Sequence, residues 1–361
     1  MLSLFFATAL QIHAEDFPAW SGRFEQHFFH LPSPYADGKD SRRVRIGNAG
    51  PLGSGLDLAW ANGLSWNWEL ELSDRTVQWE KLTLNGESSN YFAWQLGLFK
   101  EPLGLDGVTS SRFIAMTERN FVATLTKSDN TGFMLKHSSP SWNAAFGVFG
   151  KVMNGGLANG DNALSGRVVW RPWMEGVGQK VFHLGLSASA RQTQDGTVRW
   201  DSTGGPTILP TLVDSGILLV DRLSLQNAEL SWASGSFSTS AECSTVALDG
   251  GDGGNAYAWS CHAAWIFTGE HRQYRISNGS FGKVVPLNPW STSGLGAWEL
   301  ICRTDRLKLP SQGQDSGCAR QGMALTCWLE SNVHLQLGWD RIVADGDAAF
   351  EAWTLRLAYD W

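Results

Sequence analysis

The sequence predicts an all-β fold, a sixteen-stranded antiparallel transmembrane β-barrel with loops folded inward, and three observations predict it. Charged residues are only 17% of the chain, against about 25% in a typical soluble protein, yet no stretch approaches the ~18 consecutive apolar residues of a spanning helix. Apolar and polar residues alternate with period 2 in many segments. Connections alternate between tight turns and long loops, the asymmetry of a membrane barrel's two rims. The 40 glycines and 19 tryptophans fit such a barrel. Ample aliphatic and aromatic content excludes disorder, and a net charge of −7 argues against a nucleic-acid partner.

The chain opens with its longest apolar stretch, 1–10, inside a segment, 1–14 (MLSLFFATALQIHA), that ends on a small residue. It reads as an export signal without the usual basic start, since no Lys or Arg precedes Arg23. Cleavage after Ala14 would leave 15–361 as a single barrel domain.

Alternation places strands near 20–29, 42–50, 65–73, 76–84, 91–99, 131–138, 142–150, 163–172, 180–191, 223–232, 235–247, 256–268, 296–308, 322–330, 333–343 and 348–361. The last is the clearest. In 353–361 (WTLRLAYDW), Trp353, Leu355, Leu357, Tyr359 and Trp361 share one face, with aromatics at both ends and aliphatics between. A strand crossing headgroup, hydrocarbon and headgroup needs that order. Tight turns are expected at 233–235 and 331–332, and long loops at 100–130, 192–222 and 309–321. No helix, linker or internal repeat beyond the hairpin rhythm is expected, and sixteen strands leave room for an aqueous lumen.

Four stretches carry a resemblance to the phosphate-selective porin O and P family. They are 96–120 (LGLFKEPLGLDGVTSSRFIAMTERN), 163–172 (ALSGRVVWRP), 210–216 (PTLVDSG) with the strand after it, and 267–309 with its FTGE, FGKVVP and GAWEL elements. The resemblance implies a trimer of sixteen-stranded barrels in the bacterial outer membrane, each lumen narrowed by a third loop, a fifth loop and a periplasmic turn. These correspond to 100–130, 192–222 and 269–294. It also implies passive passage of small anions such as phosphate, with outer-membrane lipid as the other partner. No residue matches the family's central lysine, and Arg112 is the nearest cation of that kind.

Anion selection needs cations in the pore, and Arg is favoured because its fork matches oxyanions. Alternation turns Arg43 and Arg45, Arg167 and Arg171, Arg303 and Arg356 inward, opposite apolar neighbours. Facing lipid would cost each about 2–4 kcal/mol at the midplane. The turn adds Arg272, Arg275 and Lys283 against Glu270, whereas the third loop is neutral and the fifth is acidic. Arg43, Arg45, Arg112, Arg167, Arg171, Arg272, Arg275, Lys283 and Arg303 are the candidate pore-lining residues. The expected function is an anion-preferring diffusion channel. The alternatives are a plugged structural or adhesive barrel, or a barrel enzyme.

No metal or cofactor is expected. The Gly-rich runs at 155–160 and 250–254 lack the lysine and helix of a phosphate cradle, and no Cys/His spacing suggests a metal. The cysteines admit two readings. They serve as small apolar residues toward lipid, or they form two cross-strand disulfides. Placing the hairpin midpoints at 252 and between 314 and 315 would oppose Cys243 to Cys261 and Cys302 to Cys327, leaving Cys318 free in a loop.

Overall fold

The computed structural model describes residues 19–31, 38–51, 63–73, 76–87, 91–126, 129–150, 160–193, 195–206, 208–311, 316–346 and 349–361. Sixteen antiparallel strands close into one barrel. They are β1 (Ala19–His30), β2 (Gly38–Pro51), β3 (Leu64–Ser73), β4 (Thr76–Glu87), β5 (Phe92–Lys100), β6 (Asp129–Ser138), β7 (Trp142–Phe149) and β8 (Gly160–Glu175) in the first half. The second half holds β9 (Lys180–Thr193), β10 (Arg222–Ser234), β11 (Phe237–Asp249), β12 (Gly254–Ile266), β13 (Ala297–Leu309), β14 (Ser316–Glu330), β15 (Val333–Ala344) and β16 (Phe350–Asp360). Pairing of β1 with β16, in the register Phe28 to Leu355, closes the cylinder. The expected export signal lies outside the described residues.

Period 2 holds around the wall. On β16, Trp353, Leu355 and Tyr359 are exposed outward while Arg356, between Leu355 and Leu357, is fully buried inside. Trp361 continues the row beside Tyr359. Bulges break the alternation where sequence reading is weakest. Glu69 pairs with Lys81 but Leu70 with Trp79, which leaves Glu80 as the extra residue. Trp79 and Leu82 can then both face outward although three positions apart.

Tight turns join β10 to β11 and β14 to β15 at one rim, where β1 begins and β16 ends. The same rim carries one long turn, 267–296, whose hairpin (Arg272–Arg275 paired with Ser280–Val284) enters the barrel. From the other rim, 101–126 folds inward and carries two short helices, α1 (Leu105–Val108) and α2 (Val122–Thr126), where the sequence predicts none. The loop after β13 is shorter than expected, because β14 begins at Ser316.

The external half of the interior is not aqueous along β10–β16. Leu223, Leu225, Val246, Leu248, Leu307 and Ile342 point inward there and are buried. Trp200, Leu209, Val213 and Leu218 of the fifth loop pack on them, with Phe121, Val122 and Leu125 of the third. This side is a core, where a fully buried aliphatic contributes about 1.5–3 kcal/mol.

The opposed-cysteine pairings are corrected too. Cys243 faces Trp259, and Cys261 faces Ala241. Cys302 faces Met323, and Cys327 faces Trp298. All five thiols are free. Cys243, Cys261 and Cys302 are exposed on the outer wall, Cys327 is covered, and Cys318 is buried inside β14 rather than in a loop.

The outward face generates a test. Leu355 lies opposite Leu337 and Phe28 at mid-strand. Leu355→Arg should lower the barrel's folding free energy in lipid vesicles by about 2–4 kcal/mol, read from urea titration against wild type.

Candidate functional site

Along β1–β8 the interior stays open, as a cavity of about 950 Å³ reaching the turn-side rim. Its wall is cationic. Arg23, Arg45, Lys81, Lys100, Arg112, Lys136, Arg167, Arg275 and Lys283 line it, against only Glu69, Glu80 and Asp360 among the lining carboxylates.

Most of the arginines are already engaged. Arg45 pairs with Glu69 at 3.1 Å, with Glu80 at 2.9 Å and with Glu71. Arg167 forks onto Glu229, Nε to Oε1 at 2.8 Å and Nη2 to Oε2 at 2.7 Å, and also donates to the carbonyls of Asn278 and Gly279 in the hairpin. Gly185 opposes Glu229 in register, and a Cβ there would lie 2.7 Å from the Glu229 carboxylate, so only glycine leaves room for the pair. Arg23 bonds Glu25 and Asp360 and donates to Ser111. Asp360 also takes Arg112 at 3.1 Å. Lys100 donates to the carbonyls of Gly107 and Thr109.

Four cations in the cavity have no carboxylate within ion-pair distance among the described residues: Lys81, Lys136, Arg275 and Lys283. Lys136 donates only to Gln95, at 3.2 Å, and Arg275 stacks on the Phe113 ring at 5.7 Å. Their charges act on one another, Lys136 on Lys81, Lys81 on Arg275 and Arg275 on Arg112. Partial burial and then the Arg112 charge hold the Arg275 guanidinium below its ordinary pKa. Glu69 acts on Lys81 and Glu87 on Lys136 from beyond ion-pair distance, but no carboxylate pairs with either among the described residues, so the cluster leaves positive charge for an anion to meet.

The third loop is fixed by the opposite wall. Glu242 of β11 accepts the backbone N–H of Leu105 at 2.7 Å and of Asp106 at 3.2 Å, with Asn120 and Asn227 donating as well. Gly104, at φ 68°, brings the chain so close that a Cβ would lie 2.5 Å from this carboxylate. Asp305 accepts the Phe121 N–H, Arg320 donates to the Arg119 carbonyl, Arg303 to that of Glu118, and Arg356 to that of Ser111. The hairpin is held in the same way. His183 lies between Tyr274, at 2.7 Å, and Glu229, at 3.1 Å, while Arg171 donates to the Tyr274 oxygen and to the Ser139 and Pro140 carbonyls. Burial raises the Tyr274 phenol's pKa.

The structure therefore sorts the sequence candidates. Arg45, Arg112, Arg167, Arg275 and Lys283 reach the cavity. Arg171 is spent on Asn143, on the Ser139 and Pro140 carbonyls beside the β6–β7 turn and on Tyr274, and Arg272 donates through Nη2 to both Glu299 oxygens at 2.5 and 2.7 Å. Arg303 is buried under the third loop beside Asp305. These three do not line the cavity, and their reading as pore-lining is corrected. Arg43 lies on β2 opposite Glu25, and its side chain is outside the described residues, as is Lys127. Sequence reading missed Lys81, Lys100 and Lys136. Lys136 follows the same rule as the arginines, lying between outward Leu135 and His137, so alternation carries the signal that could have found it.

The geometry is a closed sixteen-stranded wall with an apolar outer belt and an interior narrowed by a loop from one rim and a turn from the other. Known proteins agree. The family model for phosphate-selective porin O and P matches residues 34–325. Porin O of Pseudomonas aeruginosa is 26% identical over 248 residues, 60% of this chain and 54% of that protein. An uncharacterised protein of Caulobacter vibrioides is 25% identical over 308 residues, 81% of this chain and 60% of its own length. The chain thus spans a little over half the length of these curated relatives. Among solved structures, an anion-selective porin from Comamonas acidovorans superposes with TM-score 0.62 at 10% identity, covering 96% of this chain and 99% of that one. The trimer form of OmpT from Vibrio cholerae gives 0.58 at 11% identity, covering 96% and 99%. These two show the shared fold. The chain belongs to the phosphate-selective porin O and P family, and its place is the bacterial outer membrane.

Two outcomes test the division between structural and free cations. Arg167→Gln strands Glu229 without its guanidinium, so stability should fall by about 3–5 kcal/mol in urea titration, with more effect on stability than on ion selectivity. Glu242→Ala removes the acceptor for two loop amides. It should cost on the order of 2–4 kcal/mol and raise both the conductance and the open-channel noise of single channels, because the third loop loses its anchor.

Proposed function

We propose that this protein is a porin, a passive diffusion channel that prefers small anions and takes phosphate or similar oxyanions among them. One observation carries the reading. The cavity along β1–β8 is lined by Lys81, Lys136, Arg275 and Lys283 without ion-pair partners among the described residues. Its lining carboxylates pair elsewhere, Glu69 and Glu80 with Arg45 and Asp360 with Arg23. An anion crossing this segment meets compensating charge and a cation meets repulsion. The reading includes a homotrimer, as the OmpT structure's trimer form suggests for this architecture, and a cleaved export signal at 1–14 ahead of a single barrel domain. It involves no catalytic step.

A plugged structural barrel is the second reading, favoured by the apolar packing of the fifth loop against β10–β16. Conductance in planar bilayers separates the two. A channel gives discrete steps, and a plugged barrel gives none. Under a potassium chloride gradient the reversal potential should report anion preference, and phosphate should reduce chloride current. Lys81→Gln with Lys136→Gln should move the anion-to-cation permeability ratio toward unity, several-fold more than Arg167→Gln does. A cation-selective wild type would overturn the proposal.

A further inference from the structure

The long turn between β12 and β13 divides into two parts with opposite destinations. Its hairpin, ending at Val284, is inside the barrel. The following twelve residues, 285–296 (VPLNPWSTSGLG), carry no charged side chain. They leave the lumen and lie against the outer wall. The Leu295 carbonyl accepts the indole N–H of Trp298 at 3.0 Å and lies 3.8 Å from the Cys327 sulfur. Both side chains point outward on β13 and β14. The Ser291 N–H donates to Glu330 at the end of β14, at 2.6 Å. A short 3-10 turn, Trp290–Thr292, lies between these contacts.

The apolar side chains of this segment are bare. Leu287 is 69% exposed, Trp290 65% and Leu295 82%. In water this would be an unsupported apolar patch at a rim. It continues, however, an aromatic row around the same rim. Phe237 stacks on Trp265 at 5.6 Å, Trp265 meets Phe267 at 5.8 Å, and Phe267 meets Trp298 at 6.4 Å. Trp298 then bonds Leu295. Aromatic rows of this kind mark the level where barrel wall passes from hydrocarbon to headgroup, and Trp with Ser, Thr and Asn beside it suits that boundary.

We infer that residues 285–296 are a membrane-contacting flap, docking on the inner leaflet of the outer membrane, with Leu287, Trp290 and Leu295 inserted at the phospholipid interface beside Trp298. The occupant is lipid, because the segment has no charge to read a polar partner and is continuous with the lipid-facing belt. The same turn would then brace the lumen hairpin from outside, one end held by the Arg272–Glu299 ion pair and the Arg167 hydrogen bonds to the Asn278 and Gly279 carbonyls and the other by the bilayer.

The test is nitroxide labelling at Leu287→Cys and, separately, Leu295→Cys, in protein with the outward Cys243, Cys261 and Cys302 changed to Ala, reconstituted in phosphatidylethanolamine–phosphatidylglycerol vesicles. Both positions are bare, so the label displaces no packing, and the barrel's unheated electrophoretic mobility checks folding. Collision with oxygen relative to a water-soluble nickel chelate should be several-fold higher at both sites than at Gln179→Cys in a neighbouring turn, and close to that at Leu325→Cys on the wall. A ratio equal to that at Gln179 overturns the inference, because the segment is then in water. Spin–spin broadening that disappears on dilution with unlabelled protein also overturns it, because a second copy is then the occupant.

Discussion

Everything in this barrel depends on the cost of placing charge where water is absent. The outer wall faces hydrocarbon, so Arg and Lys on the strands are driven inside. The interior is itself too full for guanidinium groups to remain hydrated, so they must be paired or hydrogen-bonded. Arg167 with Glu229, Arg272 with Glu299 and Arg320 with Asp305 are each held at 2.7 Å or less in at least one contact. The hydrogens left over go to loop carbonyls, as Arg320 does to Arg119 and Arg167 to Gly279. The requirement to satisfy buried charge is thereby also what holds the third loop and the turn hairpin within the lumen.

That requirement makes the interior lopsided. On the external side of β10–β16 the inward positions are Leu, Val, Ile and Ala, and the fifth loop fills the space with Trp200, Leu209 and Leu218. On β1–β8 the inward positions are Asn, Gln, Glu, Lys and Arg with few apolar interruptions, and the space stays open. One wall is thus a packed core and the other lines the open cavity. Under the proposed channel function a solute would pass eccentrically, along the strands whose inward side chains stay unpacked.

The strand positions and facing were legible because each outward residue pays separately for a wrong parity. Trp353 to Trp361 could be read from the sequence because every odd position had to be apolar. What spanned strands was less legible. The cysteine pairings required the centre of two loops, and the centres lie near 251 and between 312 and 313, not at 252 or between 314 and 315. Displacements of one or two residues are enough to separate the thiols. The bulge at Glu80 hid Lys81, because it lets two neighbours point the same way. Carboxylate partners distant in sequence, such as Glu229 for Arg167, sixty-two residues on, leave no local trace, so inward cations could be found but not sorted into spent and free. The two helices of the third loop are each held by a wall carboxylate or by packing rather than by an amphipathic repeat, and are too short to show one.

The sorting follows the chemistry of the two cations. A guanidinium presents a rigid fork that two carboxylate oxygens satisfy, and it is weakly hydrated, so burial beside Glu or Asp suits it. An ammonium is a compact, strongly hydrated charge on a flexible stem. Here the guanidiniums of Arg45, Arg167 and Arg272 are tied to carboxylates, whereas Lys81, Lys136 and Lys283 remain in the cavity without an ion pair among the described residues. Tight bidentate contact fixes architecture. It would also hold an oxyanion long enough to slow its passage. A lysine ammonium on its flexible stem offers an anion a point charge without the bidentate grip of a guanidinium. Arg275 is the exception among the guanidiniums, stacked on Phe113 without an ion pair among the described residues, while the other arginines named here brace the wall and the inward loops.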